Sequence, residues 1–249
     1  MMKVLYVLWL RQVKRYFRSK ARIIGSLGQP LLFLVALGFG FGPIYTRAGG
    51  GDYIQFLAPG IIAMSILFTG TFAGIEVLWD RQFGFLKEIL VTPVPRIQIM
   101  IGRTLGGATV AVLQGTIVFS LSLVFGFRPT NPAMLPLALV FMGMIALMFT
   151  ALGTAIASVI EDMQGFQLII NFLIMPIFFL SGALFPLRSL PKAVSFVSTI
   201  NPLTYGVDGL RGILIGASHL GMITDFTVLL AVTSAIMAIG AYSFSRIQA

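Results

Sequence analysis

Long runs of apolar residues constrain this chain more than any other feature of its sequence. They cover residues 23–44, 56–78, 97–127, 133–160, 165–187 and 226–244. Each run is long enough to cross the roughly 30 Å hydrocarbon core of a bilayer as a helix. The runs are continuous rather than alternating, which favours helices over a membrane barrel. The sequence therefore predicts an all-α membrane protein with six transmembrane helices.

Composition excludes the other broad classes. Charged residues make up 10% of the chain and hydrophobic residues 57%, whereas a soluble domain carries about 25% charged residues. A chain this apolar has too few polar groups to cover a surface in water, and too much apolar surface to stay disordered. We expect one transmembrane domain over residues 1–249.

The distribution of cations predicts the orientation in the membrane. With the N-terminus in the cytoplasm, 12 of the 17 Lys and Arg residues fall on the inner side and five on the outer side. Because cytoplasmic loops are enriched in Lys and Arg, both termini are predicted to be cytoplasmic.

Residues 3–18 predict an amphipathic helix at the membrane interface. Arg11, Lys14, Arg15 and Arg18 recur at helical spacing and share one face, while aromatic and aliphatic side chains occupy the other. Such a helix lies in the headgroup region, with its cations toward phosphates or water.

Two connections are too long to be simple turns. The inner one, residues 79–96, mixes charges with Phe83 and Phe85 and ends in prolines. This pattern is typical of a short helix with an apolar face that can bind a partner. The outer one, residues 188–225, has a middle that is too apolar for a solvated loop. Short helices that dip back into the bilayer, shielded by protein, would account for it.

Motif absences argue against catalysis by this chain. No lysine stands in a GxxxxGK[ST] phosphate-binding loop, Cys is absent, and His219 is the single histidine. We therefore expect no catalytic site, no cofactor and no metal. The net charge of +9 suits an anionic membrane surface, so the lipid bilayer rather than nucleic acid is the expected partner.

Polar residues within or beside the apolar runs are candidate functional groups. Glu76 and Arg103 lie near the inner ends of the second and third runs and could form an ion pair between helices. The favoured interpretation is that both side chains extend to the cytoplasmic interface. Gln114 and Asn171 are expected to bond neighbouring helices, with a substrate path as the alternative.

Three further segments carry a family resemblance. They are residues 81–87 (RQFGFLK) with Pro93, Arg96 and Arg103 beyond them, residues 180–187 (LSGALFPL) with Pro191 beyond them, and residues 201–206 (NPLTYG) with Asp208 and Arg211 beyond them. In this order and spacing they resemble the ABC-2 type family, the membrane-spanning permease subunits of ABC exporters, and in particular its drug-resistance and nodulation-factor export branch. The similarity in layout covers nearly the whole chain.

The resemblance implies roles that composition does not show. The helix at residues 3–18 would be the family's interface helix, and residues 79–96 would hold a coupling helix that docks on an ATPase subunit. The implied coupling residues are Arg81, Phe83, Phe85, Leu86, Lys87 and Glu88. Residues 190–216 would be the family's extracellular re-entrant helical hairpin before the last span. The implied residues of this outer region are Pro186, Pro191, Asn201, Pro202, Tyr205, Asp208 and Arg211.

The resemblance also implies an assembly and a location. Two ATPase subunits would hydrolyse ATP for two permease chains, the second being another copy of this chain, as a homodimer, or a close relative. The complex would lie in the inner, cytoplasmic membrane of a prokaryotic cell.

The substrate stays open between several classes. A hydrophobic or amphiphilic molecule, drug-like or lipid-like, is favoured, partly because the chain resembles the multidrug-resistance branch. A lipid-linked polysaccharide is the alternative. An ion-coupled secondary transporter would need acids at mid-membrane, which the runs lack, and a membrane anchor without transport would need no coupling loop.

Overall fold

The computed structural model describes residues 2–85, 94–187 and 191–245, of which no residue forms a β-strand. Of the described residues, 84% are helical. The helices are α1 (Met2–Arg18), α2 (Lys20–Arg47), α3 (Tyr53–Phe72), α4 (Ile75–Gln82), α5 (Arg96–Val124), α6 (Leu135–Val159), α7 (Met163–Phe179), α8 (Lys192–Ile200), α9 (Pro202–Ile215) and α10 (Met222–Ser245), with a 3₁₀ turn (Pro132–Met134) before α6.

Five helical segments among the described residues are long and apolar enough to cross a membrane. They are Lys20–Arg47, Tyr53–Gln82, Arg96–Val124, Pro132–Val159 and Met222–Ser245. The remaining predicted span, the fifth apolar run, corresponds to α7, an apolar helix of 17 residues. Its length is about 26 Å at 1.5 Å per residue, slightly less than the hydrocarbon thickness.

Local chemistry sets several helix ends. The Asp52 carboxylate accepts a hydrogen bond from the Ile54 amide at the start of α3, and Asp162 does the same for Gly165 at the start of α7. Short polar side chains satisfy amides that have no partner within the first turn. The sequence predicts that the fifth run continues to residue 187, but α7 ends at Phe179, and Gly182 follows in a left-handed turn with φ +76°.

Helix α3 lies at the centre of the bundle, in contact with α2, α5, α6 and α9. In its most apolar window 72% of the residues are buried, against 17% for α2 and for α10. The outer helices therefore present most of their surface to lipid or to another subunit. Helix α1 does not join this core but packs along α5.

Close approach of α6 to α3 requires a glycine at position 153. A Cβ there would overlap the main-chain carbonyl of Thr71, and backbone cannot move aside as a flexible side chain can. Gly143 lies on the same helix with no atom within 4 Å of such a Cβ. Small residues at helix crossings are how membrane helices gain packing contacts.

The Gly153→Ala variant should therefore lower thermal stability in detergent, by about 1–3 kcal/mol for an overpacked site. The matched Gly143→Ala variant should not lower thermal stability, because alanine is the better helix former and the site has room for a Cβ. Melting of the two purified variants tests this difference. A Gly153→Ala protein as stable as Gly143→Ala would show that the α3–α6 approach is not tight.

Candidate functional site

The amphipathic helix α1 is fastened to α5 by close packing and two side-chain hydrogen bonds. Gly106 of α5 faces Gln12, where an added Cβ would lie 2.7 Å from the Gln12 Cβ. The Trp9 indole N–H donates to the Thr109 hydroxyl at 3.0 Å, and the Tyr16 hydroxyl donates to Gln114 Oε1 at 2.5 Å. Burial raises the pKa of Tyr16, so its hydroxyl keeps the proton that it donates.

Part of the aromatic face of α1 is therefore buried against the rest of the protein and does not face lipid. Tyr16 is 2% exposed, whereas Tyr6 and Phe17 remain more than half exposed. The sequence pattern does not distinguish the buried aromatic residue from the exposed ones. Gln114, a candidate for bonding between helices, has this role through Tyr16.

Asp80 on α4 is the centre of a buried ion-pair cluster. Its Oδ1 accepts from Arg11 Nη2 at 2.9 Å, and its Oδ2 accepts from Arg103 Nη2. Asp80 and Arg103 are 6% and 4% exposed. Because Arg11 belongs to α1 and Arg103 to α5, this carboxylate joins three helices.

Glu76 lies one turn earlier on α4 and forms the second half of the cluster. Its carboxylate is 3.0 Å from Arg22 Nη1 and 3.7 Å from Arg15 Nη1. The Arg15 guanidinium also stands 5.1 Å from the centre of the Trp79 ring. Glu76 therefore ties α4 to α1 and to the start of α2.

Glu76 and Arg103 do not form the predicted ion pair with each other, because each is paired with other residues. Both side chains are buried, so neither extends to the surface, and Arg103 is paired with Asp80 instead. Sequence reasoning missed Asp80. Its position four residues after Glu76 puts both carboxylates on one face of α4, a signal that could have identified it.

The inner connection continues from this cluster. Helix α4 ends at Gln82, after which Phe83 is 83% exposed and Phe85 lies under the Arg11 guanidinium at 4.2 Å. Arg81 pairs with Glu161 across to the α6–α7 turn at 2.8 Å. Leu86, Lys87 and Glu88, the remaining predicted coupling residues, lie outside the described residues.

The outer segment is held by polar side chains that bond main-chain atoms. Asn201 accepts from the Leu203 amide at the start of α9 and donates through Nδ2 to the Ile177 carbonyl at 2.6 Å. Pro202 occupies the first turn of α9, and the Tyr205 hydroxyl donates to the Thr199 carbonyl at 2.7 Å. These bonds fix α8 and α9 to each other and to α7.

Arg211 anchors α9 to the centre of the bundle. Its Nη2 donates to the carbonyls of Phe56 and Gly182, and its guanidinium stacks 3.9 Å from the centre of the Phe56 ring. Burial lowers the pKa of Arg211 to about 10, against the opposing effect of Asp208, so the group stays cationic at neutral pH. The turn after α7 is thereby clamped between α3 and α9.

The remaining predicted residues lie apart from these contacts. Pro186 is half-buried in the turn after α7, and Pro191 directly precedes α8 at the surface. Asn171 is exposed on α7, beside Phe172 at 86% exposure. The structure brings Asn171 into neither polar cluster.

A cavity of about 340 Å³ opens between α1, α2, α3 and α4. Its apolar wall includes Met64, Phe68 and Phe72, and its polar wall includes Arg22 and Glu76. Ser65 also lines it, 2% exposed and with no hydrogen-bond partner for its hydroxyl. This mixture of many apolar walls and few polar groups is typical of a pocket for a small amphiphile.

The fold and its polar clusters define a multi-pass helical membrane protein built around a central helix, with an amphipathic N-terminal helix packed along α5. The model of the family described as "ABC-2 type transporter" matches residues 3–215, from the start of α1 to the end of α9. The chain therefore belongs to the ABC-2 type transporter family.

Relatives with names agree with this membership. The chain is 32% identical to Nodulation protein J of Rhizobium meliloti (strain 1021) over 206 residues, covering 81% of this chain and 78% of that protein. It is 26% identical to the inner membrane transport permease YadH of Escherichia coli (strain K12), covering 89% and 87% of the two chains.

Replacing Asp80 by Asn should destabilise the protein strongly, because Arg103 would stay buried without its counter-charge. Breaking a buried pair by removing one partner costs about 3–5 kcal/mol. The control is Glu161→Gln, which breaks the pair with Arg81 at a carboxylate that is 78% exposed and should cost at most about 1 kcal/mol. Melting in detergent measures both. Equal losses in the two variants would contradict a special role for the buried pair.

Proposed function

We propose that this chain is the permease subunit of an ATP-driven ABC exporter, and that it provides the membrane path for a hydrophobic or amphiphilic substrate. ABC-2 permeases work with an ABC ATPase subunit, and a separate subunit is the proposed site of hydrolysis here. A two-state transporter needs an input that binds its two states differently, and nucleotide on the ATPase would be that input.

The exposed aromatic side chain at the end of α4 carries this proposal. Phe83 is the most exposed of the large hydrophobic residues on α4 and the turn that follows it. An apolar ring in water at the end of a rigidly held helix suits a groove on a soluble partner. Phe85 would contribute less directly, because its ring already contacts Arg11.

The ion-pair cluster gives such docking a mechanical consequence. Asp80 and Glu76 connect α4 to α1, α2 and α5 through four arginines. A displacement of α4 by an ATPase would therefore move α1 and the inner ends of two spans with it. Helices joined by buried charge pairs move together, because separation would leave charges unpaired in apolar surroundings.

The proposed topology has six spans, which are the five long segments and the shorter helix α7, and both termini lie in the cytoplasm. The cation distribution supports the orientation, and the relative named as an inner membrane permease supports a prokaryotic inner membrane. Helices α8 and α9, of 9 and 14 residues, are too short to span and would form the re-entrant hairpin.

The proposed assembly pairs two permease chains with two ATPase subunits. The exposed apolar face of α7, with Leu168 at 72% and Phe172 at 86% exposure, supports contact with lipid or a second chain. A homodimer is the simplest form of such a pair.

Phe83→Asp should abolish co-purification with a co-expressed ABC ATPase subunit that binds the wild-type chain, while the apparent melting temperature stays unchanged. The matched control is Gln82→Asp, which adds the same charge at the neighbouring exposed position and keeps the ring. A complex that survives Phe83→Asp would remove the docking role of this segment. Failure of the wild-type chain to bind any ATPase would instead favour the ion-coupled alternative.

The cavity beside α3 supports an amphiphilic substrate. Ser65→Leu should reduce ATP-driven uptake of a fluorescent amphiphile into inverted vesicles several-fold, because the larger side chain fills the cavity. Thr71→Val, a buried change on the same helix away from the cavity wall, is the control. Unchanged uptake by Ser65→Leu, with the ATPase still bound, would show that the cavity is not on the path and would bring the lipid-linked polysaccharide back into consideration.

A further inference from the structure

The cavity between α1, α2, α3 and α4 is charged at one end and mostly apolar along the rest of its length. The wall on α3 consists of side chains that recur at helical spacing, namely Met64, Ser65, Phe68, Thr69 and Phe72. From Met64 to Phe72 the wall extends about 12 Å at 1.5 Å per residue. Glu76 and Trp79 of α4 line the cavity beyond Phe72, and Arg22, hydrogen-bonded to Glu76, lies at the same end.

The charges at this end of the cavity are not balanced. One carboxylate, Glu76, serves two arginines, Arg22 at 3.0 Å and Arg15 at 3.7 Å. The Arg22 guanidinium makes one hydrogen bond, and that of Arg15 makes none within the described part of the chain. Their side chains are 38% and 35% exposed. Both guanidinium groups therefore keep N–H donors that a ligand can reach.

The neighbouring carboxylate does not supply the missing negative charge. Asp80 is already paired with Arg11 and with Arg103. Among the described residues, the four arginines of the cluster meet two carboxylates, which leaves two positive charges uncompensated. Such an excess beside an apolar cavity is stabilised by an anion, because charges attract more strongly where water is excluded.

The uncharged polar side chains of the wall are available to the same ligand. Gln12, Gln29 and Thr69 line the cavity, and their side chains make no hydrogen bond with the residues that the structure describes. The Ser65 hydroxyl is likewise without a partner. Amides and hydroxyl groups donate and accept, so they do not select the sign of a ligand's charge. The arginines do.

We propose that this cavity selects amphiphiles whose head group is an anion, a phosphate or a carboxylate. Arg22 is the direct ligand of the head group, and Arg15 supplies the second positive charge. The planar guanidinium group matches phosphate and carboxylate with two parallel N–H donors. The tail lies along Phe68 and Phe72 toward Met64. This selectivity rests on the proposed function, in which the cavity takes an amphiphile, and narrows that class to anionic molecules.

Binding to the full chain alone, in phosphatidylcholine nanodiscs, tests the selectivity. The probes are dodecyl phosphate, dodecyl maltoside and dodecyltrimethylammonium, which share one tail, and binding to empty discs is subtracted. Dodecyl phosphate should bind about tenfold more tightly than dodecyl maltoside, the lower end of what a hydrogen bond to a charged group contributes. The cationic probe should bind least. Equal affinities, or a preference for the cation, would overturn the proposal, and so would displacement of dodecyl phosphate by an equal concentration of inorganic phosphate.

Two arginine variants test whether the cavity itself makes the selection. Arg22→Gln should lower the affinity for dodecyl phosphate to that for dodecyl maltoside and leave the latter unchanged. The matched control is Arg18→Gln, because Arg18 is exposed near the end of α1 and does not line the cavity. This variant should keep the preference. An equal loss in both variants would indicate general attraction to a basic surface and overturn the proposal, as would an unchanged preference in Arg22→Gln.

Tryptophan fluorescence locates the ligand even if Arg22→Gln does not fold. The chain has two tryptophans, so Trp9→Phe leaves Trp79 of the cavity wall as the single reporter. Dodecyl phosphate that is brominated near its head group should quench this fluorescence, and unlabelled dodecyl phosphate should restore it. Quenching no stronger than that by dodecyl maltoside brominated at the same carbon would overturn the proposal.

Failure of this selectivity is distinguishable from failure of the proposed transport function. The binding experiments use neither an ATPase nor ATP. Tight binding of dodecyl phosphate without ATP-driven uptake would support the anion site and contradict the transport role. Uptake of a neutral amphiphile by a chain with no preference for dodecyl phosphate would overturn the anion site and support the transport role.

Discussion

The arrangement of α1, α4 and α5 depends on the burial of one cation, Arg103. A guanidinium that is 4% exposed inside an apolar bundle is tolerated only beside an anion. Asp80 supplies that anion and must reach α5 from α4. The position of α4, and with it the exposed Phe83 beyond its end, follows from this electrostatic requirement. Arg11 shares the same carboxylate, so α1 is positioned by it as well.

Helices α7, α8 and α9 use a different solution to the same problem of polar groups in apolar surroundings. There, charged and polar side chains bond main-chain atoms that short helices and turns leave unpaired. Arg211 bonds two carbonyls and Asn201 bonds a carbonyl and an amide. Such bonds satisfy main-chain N–H and C=O groups of the irregular backbone, which in a regular helix would bond to each other. One half of the molecule is thus joined by side-chain charges and the other by main-chain contacts.

Sequence reasoning located the helices better than it located their contacts. The apolar runs and the amphipathic spacing of residues 3–18 correspond closely to helices in the structure, because hydrophobic periodicity is a local property. The end of α7 was predicted eight residues too late, since leucine, phenylalanine and alanine continue through a turn that Gly182 initiates. Asp80 was overlooked because its role depends on Arg11 and Arg103, far away along the chain.

The sequence by itself determined that the chain is an all-helical membrane protein, since so few charges cannot support any soluble fold, and that it resembles ABC-2 permeases. Only the tertiary structure decided which charges meet. It paired Arg103 with Asp80 rather than with Glu76. The physical reason is that the apolar character of each residue can be read from the sequence and predicts burial in a helix. The stability of a buried charge depends instead on the particular group that folding brings next to it.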